Sequence, residues 1–287
     1  MKSVAIILNP EKESAIELGR DIVSWLEERG VLVMAEHTAA AAMGFPRLSR
    51  DEKQLVTADF ALVMGGDGTL LRASHTMSAA GVPMLPIRFG QFGFLANTDP
   101  KDTFTALEHI LDGDYKIDER MMLHATVHRL EEKIASSIAL NDAVISKGPL
   151  SRMLRLATYI SGKYISTYAS DGLIIATPTG STAYSLSAGG PLVTPDLKVI
   201  IITPICPHTL SARSLLVSSV QKVEAVVESE SGDVMLTIDG QVGIPLESGD
   251  RVSIAEADIK TQLISVNNIT FFDKLQKKLK WGDRCID

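Results

Sequence analysis

The strongest structural signal in the chain is Asp59-Phe60-Ala61-Leu62-Val63-Met64-Gly65-Gly66-Asp67-Gly68-Thr69-Leu70-Leu71-Arg72. An apolar run of strand-forming residues stops at three glycines and an aspartate, and then continues with residues that favour the start of a helix. The pattern predicts a strand, a turn and a helix. Glycines in such a turn can adopt positive φ and let a ligand approach the backbone, while N–H groups at the helix start favour an anion. We therefore expect the turn to bind a phosphate.

Asp67 is the unexpected member of this turn. A carboxylate in an anion-binding turn repels phosphate unless it accepts a proton from a hydroxyl group or faces a metal ion. We therefore predict that Asp67 is the catalytic residue.

Segments on both sides of the turn alternate between strand and helix patterns. Continuous apolar runs predict strands that are buried on both faces, and amphipathic segments predict helices. Strands are predicted at 3–8, 31–35, 59–64 and 83–87, helices at 12–29, 72–80 and 103–111, a surface loop at 38–50 and a glycine-bearing loop at 90–95. This alternation implies a parallel α/β sheet that binds ligands at the carboxyl ends of its strands.

The pattern changes near Arg120, where short apolar segments bounded by turns begin. They lie at 123–127, 134–140, 154–160, 172–176, 199–203, 223–227, 234–238 and 251–254. Many short strands with little helix between them predict a β-sandwich or a related all-β domain. The expected organisation is an amino-terminal parallel α/β domain at 1–120 and a carboxyl-terminal β-sandwich-like domain at 121–267. The amphipathic tail 268–287 is expected to pack on the first domain.

Composition limits the classes of function. The chain has 287 residues, 45% of them apolar, and a net charge of -7 from 28 basic and 35 acidic residues without a basic tract. This balance favours neither a nucleic acid nor a membrane surface, so a small-molecule partner is expected. Cys206 and Cys285 allow only one pair, and neither a secretory leader nor a transmembrane run is evident, so we expect a cytoplasmic, reduced protein.

A second concentrated stretch runs from Ser170 to Pro191 and combines a strand with hydroxyls, small residues and glycines. Its density of polar groups favours a binding site, although Ser and Thr are also ordinary helix caps. Asn141-Asp142 could fix ribose hydroxyls, but Asn-Asp at a strand end is also a common turn. Asp239-Gly240-Gln241 is predicted to be a hairpin turn without a functional role.

Several known kinds of site are absent from the sequence. There is no P-loop motif, and no pair of His or Cys residues has metal-ligand spacing. The segment from Gly66 to Leu71 is a weak match to a dinucleotide fingerprint, because Leu71 replaces a small residue and Arg88, not an acid, lies about twenty residues further on. No Gly-x-Ser-x-Gly elbow of a serine hydrolase occurs.

The order of these motifs resembles that of bacterial NAD kinases from end to end. The motifs are Gly65-Gly66-Asp67-Gly68-Thr69, Gly93-Phe94-Leu95, Asn141-Asp142, the Asp171 to Pro191 run, the Thr203 to Arg213 run and Asp239-Gly240-Gln241. The glycine-aspartate motif is shared with diacylglycerol and sphingosine kinases, whereas Thr177-Pro178-Thr179-Gly180-Ser181-Thr182-Ala183-Tyr184 resembles NAD kinases specifically. The resemblance implies NAD bound between the two domains, ATP or polyphosphate as the phosphoryl donor, and a homodimer or homotetramer.

The resemblance also implies roles for individual residues. Asp67 would accept or orient the proton of the adenosine 2′-hydroxyl, and Gly68 would let the ribose approach. Mg²⁺ would be held mainly by the donor phosphates, without a protein metal site. Substrate-binding positions are Gly68, Arg72, Phe94, Asn141, Asp142, Arg152, Asp171, Thr179, Thr182, Ala183, Tyr184, Ser185, Leu186, Ser187 and Gln241. Arg88 departs from the asparagine usual two residues before Gly90 and could help to bind phosphate.

Two other functions are compatible with the glycine-aspartate turn. A lipid kinase would need an apolar pocket for acyl chains, and the polar run from Thr179 to Tyr184 argues against one. A non-catalytic NAD-sensing module would keep its function without the carboxylate of Asp67.

Overall fold

The computed structural model describes residues 2–91, 93–96, 98–148, 153–209, 211–229, 233–266 and 269–279. The chain forms two compact units, one from residues 1–119 with 260–287 and the other from residues 120–259. Within the described ranges, no helix has both the length and the apolar character needed to span a bilayer.

Strands and helices alternate over the first part of the chain, and strands predominate after α5. In chain order the elements are β1 (Ser3–Leu8), α1 (Glu13–Glu28), β2 (Leu32–Ala35), α2 (His37–Met43), α3 (Glu52–Leu55), β3 (Phe60–Gly65), α4 (Asp67–Met77), β4 (Met84–Arg88), α5 (Thr103–Asp112), β5 (Lys116–Arg129), β6 (Glu132–Ala139), β7 (Asp142–Lys147), β8 (Leu154–Ile160), β9 (Lys163–Ser170), β10 (Gly172–Ala176), α6 (Tyr184–Ser187), β11 (Val199–Ile205), β12 (Leu215–Ser218), β13 (Val223–Val227), β14 (Val234–Ile238), β15 (Val242–Leu246), β16 (Arg251–Ser265) and α7 (Phe271–Leu279).

The first unit contains a parallel sheet in the order β2-β1-β3-β4. The end of β16 adds to it beside β4, where Leu263 pairs with Met84 in parallel. The strands β1 and β3 are almost entirely buried, because helices cover a parallel sheet on both faces. The sheet confirms the predicted parallel α/β class.

Residues 38–50 are not a surface loop, so that prediction was wrong. They include α2, whose Ala39, Ala40 and Met43 belong to the core of the first unit. A Cβ atom on Gly19 of α1 would lie 2.7 Å from the sulfur of Met43, so the glycine permits close packing of the two helices. The alanine run is therefore a buried helix face with small side chains.

The second unit contains two antiparallel layers around one core. One sheet has the order β12-β11-β10-β7-β14-β15. In the other layer β13 pairs with β8 and with the start of β16, and β9 pairs with β8. The core takes side chains from both layers, including Leu156 and Val252 from one and Ile145 and Leu236 from the other. This arrangement confirms the predicted sandwich-like class.

Four strands of the second unit were not predicted: β7, β9, β12 and β15. The strand β9 is largely exposed and lacks a long apolar run, and β12 and β15 are short strands at the edges of their sheet. The Asn141-Asp142 pair follows the end of β6 at Ala139, as predicted, and Asp142 is also the first residue of β7. The strands β5 and β16 are also longer than predicted, with 14 and 15 residues.

Candidate active site

The turn between β3 and α4 is tighter than the sequence suggested. The strand ends at Gly65 and the helix begins at Asp67, so Gly66 alone connects them, with φ -95° and ψ -175°. Neither Gly65, Gly66 nor Gly68 has positive φ, so that expectation was wrong. A Cβ on Gly65 would lie 2.3 Å from Oγ1 of Thr69, whereas one on Gly68 would meet no atom within 4 Å. Gly65 therefore permits the turn, and Gly68 leaves open space beside Asp67.

The carboxylate of Asp67 is held by the backbone of a second loop. Oδ2 accepts a hydrogen bond from the N–H of Phe94 at 3.0 Å, and Oδ1 accepts bonds from Leu95 and Ala96 at 3.3 Å each. A Cβ on Gly93 would lie 2.2 to 2.4 Å from the three carboxyl atoms of Asp67. The carboxylate thus occupies the space that a side chain at position 93 would need. Three consecutive amides and one glycine therefore fix its position.

An open cavity lies beside this turn in the first unit. It has a volume of about 480 Å³, and its lining includes Asn9, Lys12, Gly68, Thr69 and Arg72. Two cationic side chains, a hydroxyl group and the first turn of α4 suit an anionic group.

Arg72 lies in this cavity as part of an ion pair. Its guanidinium makes two bonds to the carboxylate of Glu36, at 2.6 and 3.0 Å. These hydrogen bonds raise the pKa of Arg72 above its ordinary value. The pair holds the guanidinium in a fixed orientation at the cavity wall.

The sequence suggested that Arg88 could help to bind phosphate, but in the structure its side chain pairs with an aspartate. Its guanidinium forms an ion pair with Asp99, and its backbone N–H donates to the carbonyl of Thr98 at 2.9 Å. The residue therefore closes the base of the loop whose amides hold Asp67.

Phe94 is only 6% exposed. Its ring lies 6.2 Å from that of Phe271 in α7, and Nζ of Lys278 lies 4.9 Å from its centre. The C-terminal helix therefore covers this ring within the first unit.

The predicted hairpin turn at 239–241 is confirmed, and Asp239 does more than form the turn. Asp239 and Gly240 have φ of 48° and 67°, and the N–H of Gln241 donates to Ile238 at 2.9 Å. The Asp239 carboxylate accepts hydrogen bonds from three consecutive backbone N–H groups, at distances of 2.7 to 3.0 Å. The donors are Leu140, Asn141 and Asp142. Asp239 therefore fixes the backbone of the Asn141-Asp142 pair.

Asp142 lies at a second cavity, of about 320 Å³, within the second unit. Its walls are Asn141, Asp142, Val144, Ser146, Ala183, Tyr184, Thr237, Asp239 and Gly240. The side chain of Asp142 is 5% exposed, and among the described residues nothing donates a hydrogen bond to its carboxylate. Burial, followed by the charge of Asp239, raises the pKa of Asp142 to about 7. A buried carboxyl group without a protein donor is suited to bind a donor group of a ligand.

In the run from Thr179 to Ser187, some side chains form hydrogen bonds within the second unit and others line the second cavity. Thr179 accepts a hydrogen bond from Arg120 at 3.4 Å, Thr182 donates to the Thr179 carbonyl at 3.2 Å, and Ser185 pairs with Thr203 at 3.1 Å. In contrast, Ala183 and Tyr184 line the second cavity, and the side chain of Tyr184 is 47% exposed. Leu186 is half-buried and Ser187 is exposed.

Two other predicted positions, Asp171 and Gln241, lie outside this cavity wall. Asp171 forms an ion pair with Lys147 at 3.0 Å, and Gln241 is exposed in the hairpin. Arg152 lies outside the described residues. Within the described part of the chain, no group of three or more His, Cys, Asp or Glu side chains could hold a metal ion.

The comparisons with known proteins match both units of the chain. The family model for the ATP-NAD kinase N-terminal domain matches residues 4–115, and the model for the C-terminal domain matches residues 140–266. The chain belongs to the NAD kinase family. An NAD kinase from Moorella thermoacetica is 46% identical over 282 residues, covering 98% of this chain and 90% of that protein. One from Geobacter sulfurreducens is 42% identical over 284 residues, covering 99% and 100%.

Solved structures of an NADH kinase and an NAD kinase have the same fold. A yeast NADH kinase complexed with NADH superposes with a TM-score of 0.88 at 25% identity, covering 99% of this chain and 89% of that one. An NAD kinase from Archaeoglobus fulgidus in complex with ATP gives a TM-score of 0.76 at 22% identity, covering 98% and 99%. The resemblance to NAD kinases inferred from the motifs is therefore confirmed.

Sequence reasoning missed the roles of Gly93, Asp239 and Thr177. The hydroxyl of Thr177 donates to Leu140 at 2.6 Å and accepts from the Gly180 N–H at 3.0 Å, so it ties the two polar stretches together. Asp239 lies in an Asp-Gly turn, which has a sufficient local explanation, and the family resemblance assigned no role to this residue. Contacts between residues about one hundred positions apart leave no pattern in a single sequence.

Proposed function

We propose that this NAD kinase family member transfers the γ-phosphoryl group of ATP to the 2′-hydroxyl of the adenosine ribose of NAD, forming NADP and ADP. The observation that carries the proposal is the Asp67 carboxylate, fixed by three amides beside the open space at Gly68. The family match supports NAD as the acceptor, and it does not favour a lipid kinase or a non-catalytic NAD sensor.

Asp67 accepts the hydroxyl proton in this proposal while the new O–P bond forms and the bond from Pγ to ADP breaks. Oδ2 accepts one hydrogen bond from the described residues, so it keeps acceptor capacity for the ribose hydroxyl. Its fixed position matters because phosphoryl transfer depends mainly on positioning and charge stabilisation. Lys12 and Arg72 bring cationic groups to the adjacent cavity, where Arg72 is paired with Glu36 and Glu11 also contributes to the lining.

A divalent cation such as Mg²⁺ fits this site as part of the phosphoryl donor. The donor phosphates and water would hold the ion, since Mg²⁺ in phosphoryl-transfer sites keeps several waters and needs few protein ligands. When bound, it would neutralise charge on the phosphates. The homo-oligomeric state and the cytoplasmic location stay predictions.

The direct test is an assay of purified protein with product identification. We expect NAD, ATP and Mg²⁺ to yield NADP and ADP, with the new phosphate assigned to the adenosine 2′ position by NMR. Parallel reactions with polyphosphate, NADH and diacylglycerol define the donor and the acceptor. Phosphorylation of diacylglycerol, or the absence of NADP in every reaction, would contradict the proposal.

Asp142 gives the reaction a specific pH dependence. We propose that its carboxylate accepts hydrogen bonds from ribose hydroxyls of NAD, so only the ionised form binds well. With a pKa of about 7, the ionised fraction in the free protein rises about tenfold between pH 6 and pH 8. The dissociation constant for NAD should fall about tenfold over that range, and binding at pH 7 should release protons.

Calorimetry in buffers with different ionisation enthalpies measures both effects. Asp142→Asn should weaken NAD binding and abolish the proton release. Because the folded-state pKa of Asp142 is raised, the free energy of unfolding contributed by this group falls as the pH rises from about 4 to about 7. NAD affinity that decreases from pH 6 to pH 8 would contradict this role.

A further inference from the structure

The C-terminal helix α7 places a lysine side chain in the interior of the first unit. Lys274 is 3% exposed. Burying an ammonium group is unfavourable unless it has a hydrogen-bond or charge partner. Its Nζ atom donates a hydrogen bond to the backbone carbonyl of Phe94 at 2.9 Å. The buried cation is therefore directed at the loop that holds Asp67.

This bond acts on a peptide group that also contacts the catalytic carboxylate. The carbonyl of Phe94 and the N–H of Leu95 belong to the same peptide unit. That N–H donates to Oδ1 of Asp67 at 3.3 Å. The peptide unit is thus bonded to an ammonium on one side and to a carboxylate on the other. A donor on the carbonyl polarises the peptide and strengthens its N–H as a donor.

The arrangement also fixes the orientation of the peptide plane. A flip of the plane would break the bonds to both Lys274 and Asp67. The start of the helix that carries Lys274 is stabilised locally, since Thr270 donates from its N–H and its hydroxyl to the Asp273 carboxylate at 2.8 and 2.6 Å. The ring contact between Phe271 and Phe94 adds a second attachment to the same loop.

We propose that Lys274 is a positioning residue for phosphoryl transfer, acting through the Phe94–Leu95 peptide to hold the Asp67 carboxylate in its reactive orientation. The inference rests on the proposed role of Asp67. Lys274 contacts the loop and not the substrate, so its removal should reduce kcat and leave substrate affinity nearly unchanged.

The test compares Lys274→Met with Lys277→Met, which removes the same charge from an exposed position on the same helix. We expect Lys274→Met to lower kcat about tenfold, a size seen when outer hydrogen-bond partners are removed at metal sites. The KM and the dissociation constant for NAD should stay within about twofold of wild type. Lys277→Met should keep the wild-type kcat. Lys274→Arg, which keeps a cationic donor, should restore most of kcat.

Assays run below the unfolding midpoint of each variant separate this effect from a loss of folded protein. If Lys274→Met does not fold, Lys274→Gln takes its place, with the same expected split between kcat and KM. A wild-type kcat in the folded variant, or an equal loss in Lys277→Met, would overturn the inference. Asp67→Asn is assayed alongside. If it retains turnover, the role of Asp67 fails; if it is inactive while Lys274→Met is fully active, only the role of Lys274 fails.

Discussion

Asp67→Asn should lower the turnover number about a thousandfold and leave the dissociation constant for NAD within a few-fold of wild type. The carboxylate is needed when the hydroxyl proton leaves, so its loss affects the transition state more than the bound substrate. An asparagine amide is a poorer proton acceptor. Its NH₂ group would also face an N–H of Phe94, Leu95 or Ala96, which now donate to the two carboxylate oxygens. Steady-state kinetics and calorimetry measure the two quantities.

Two further variants help to interpret the loss of turnover in Asp67→Asn. Gly93→Ala keeps the carboxylate but places a Cβ 2.2 Å from its Oδ1 atom, so it should also reduce turnover by displacing Asp67. Asp51→Asn is the matched control, because Asp51 caps the exposed start of α3 by accepting from the Gln54 N–H at 2.9 Å. Asparagine caps a helix equally well, so turnover should not change. Wild-type turnover in Asp67→Asn would mean that this carboxylate only anchors the loop.

Local sequence signals located several strands that send apolar side chains into the core of the second unit. The strands β8, β10, β13 and β14 begin and end at the predicted residues, because each is a short apolar run between turn residues. The exposed strand β9 and the edge strand β15 were missed, because few of their side chains enter the core. The apolar periodicity of a single sequence indicates which residues are buried. Because a strand can hydrogen-bond in a sheet without being buried, an exposed strand leaves no such pattern.

The sequence predicted which residues form the candidate site. It did not predict the hydrogen bonds that hold them in place. Asp67 and Asn141-Asp142 belong to motifs, so they could be singled out by type and by resemblance. Their supports are distant in sequence: Phe94 follows Asp67 by 27 positions, and Asp239 follows Asn141 by 98. Each unit thus uses one aspartate to bind three consecutive amides, at 94–96 in the first and at 140–142 in the second. In the first unit the aspartate is the proposed catalytic group, and in the second it supports the proposed binding group.

Asp239→Ala should therefore destabilise the protein and weaken NAD binding together. It leaves three buried N–H groups without an acceptor, and each such group costs about 1 to 3 kcal/mol. We expect the free energy of unfolding to fall by roughly 3 kcal/mol or more, which lowers the thermal midpoint by about 5 to 10 °C. NAD affinity should fall roughly tenfold, because the backbone that carries Asn141 and Asp142 loses its support.

Thermal unfolding measures the predicted loss of stability, and calorimetry measures the predicted loss of NAD affinity. The control for both measurements is Asp258→Ala. Asp258 is exposed in β16, so its removal should change stability by less than about 0.5 kcal/mol. Asp239→Asn separates charge from hydrogen bonding, because it keeps one acceptor oxygen and removes the negative charge that helps to raise the pKa of Asp142. The pH midpoint of NAD binding should then move below 7. If the pH midpoint of NAD binding in Asp239→Asn stays near 7, burial alone raises the pKa of Asp142. If the thermal midpoint of Asp239→Ala is unchanged, water replaces the carboxylate as the acceptor for the three N–H groups.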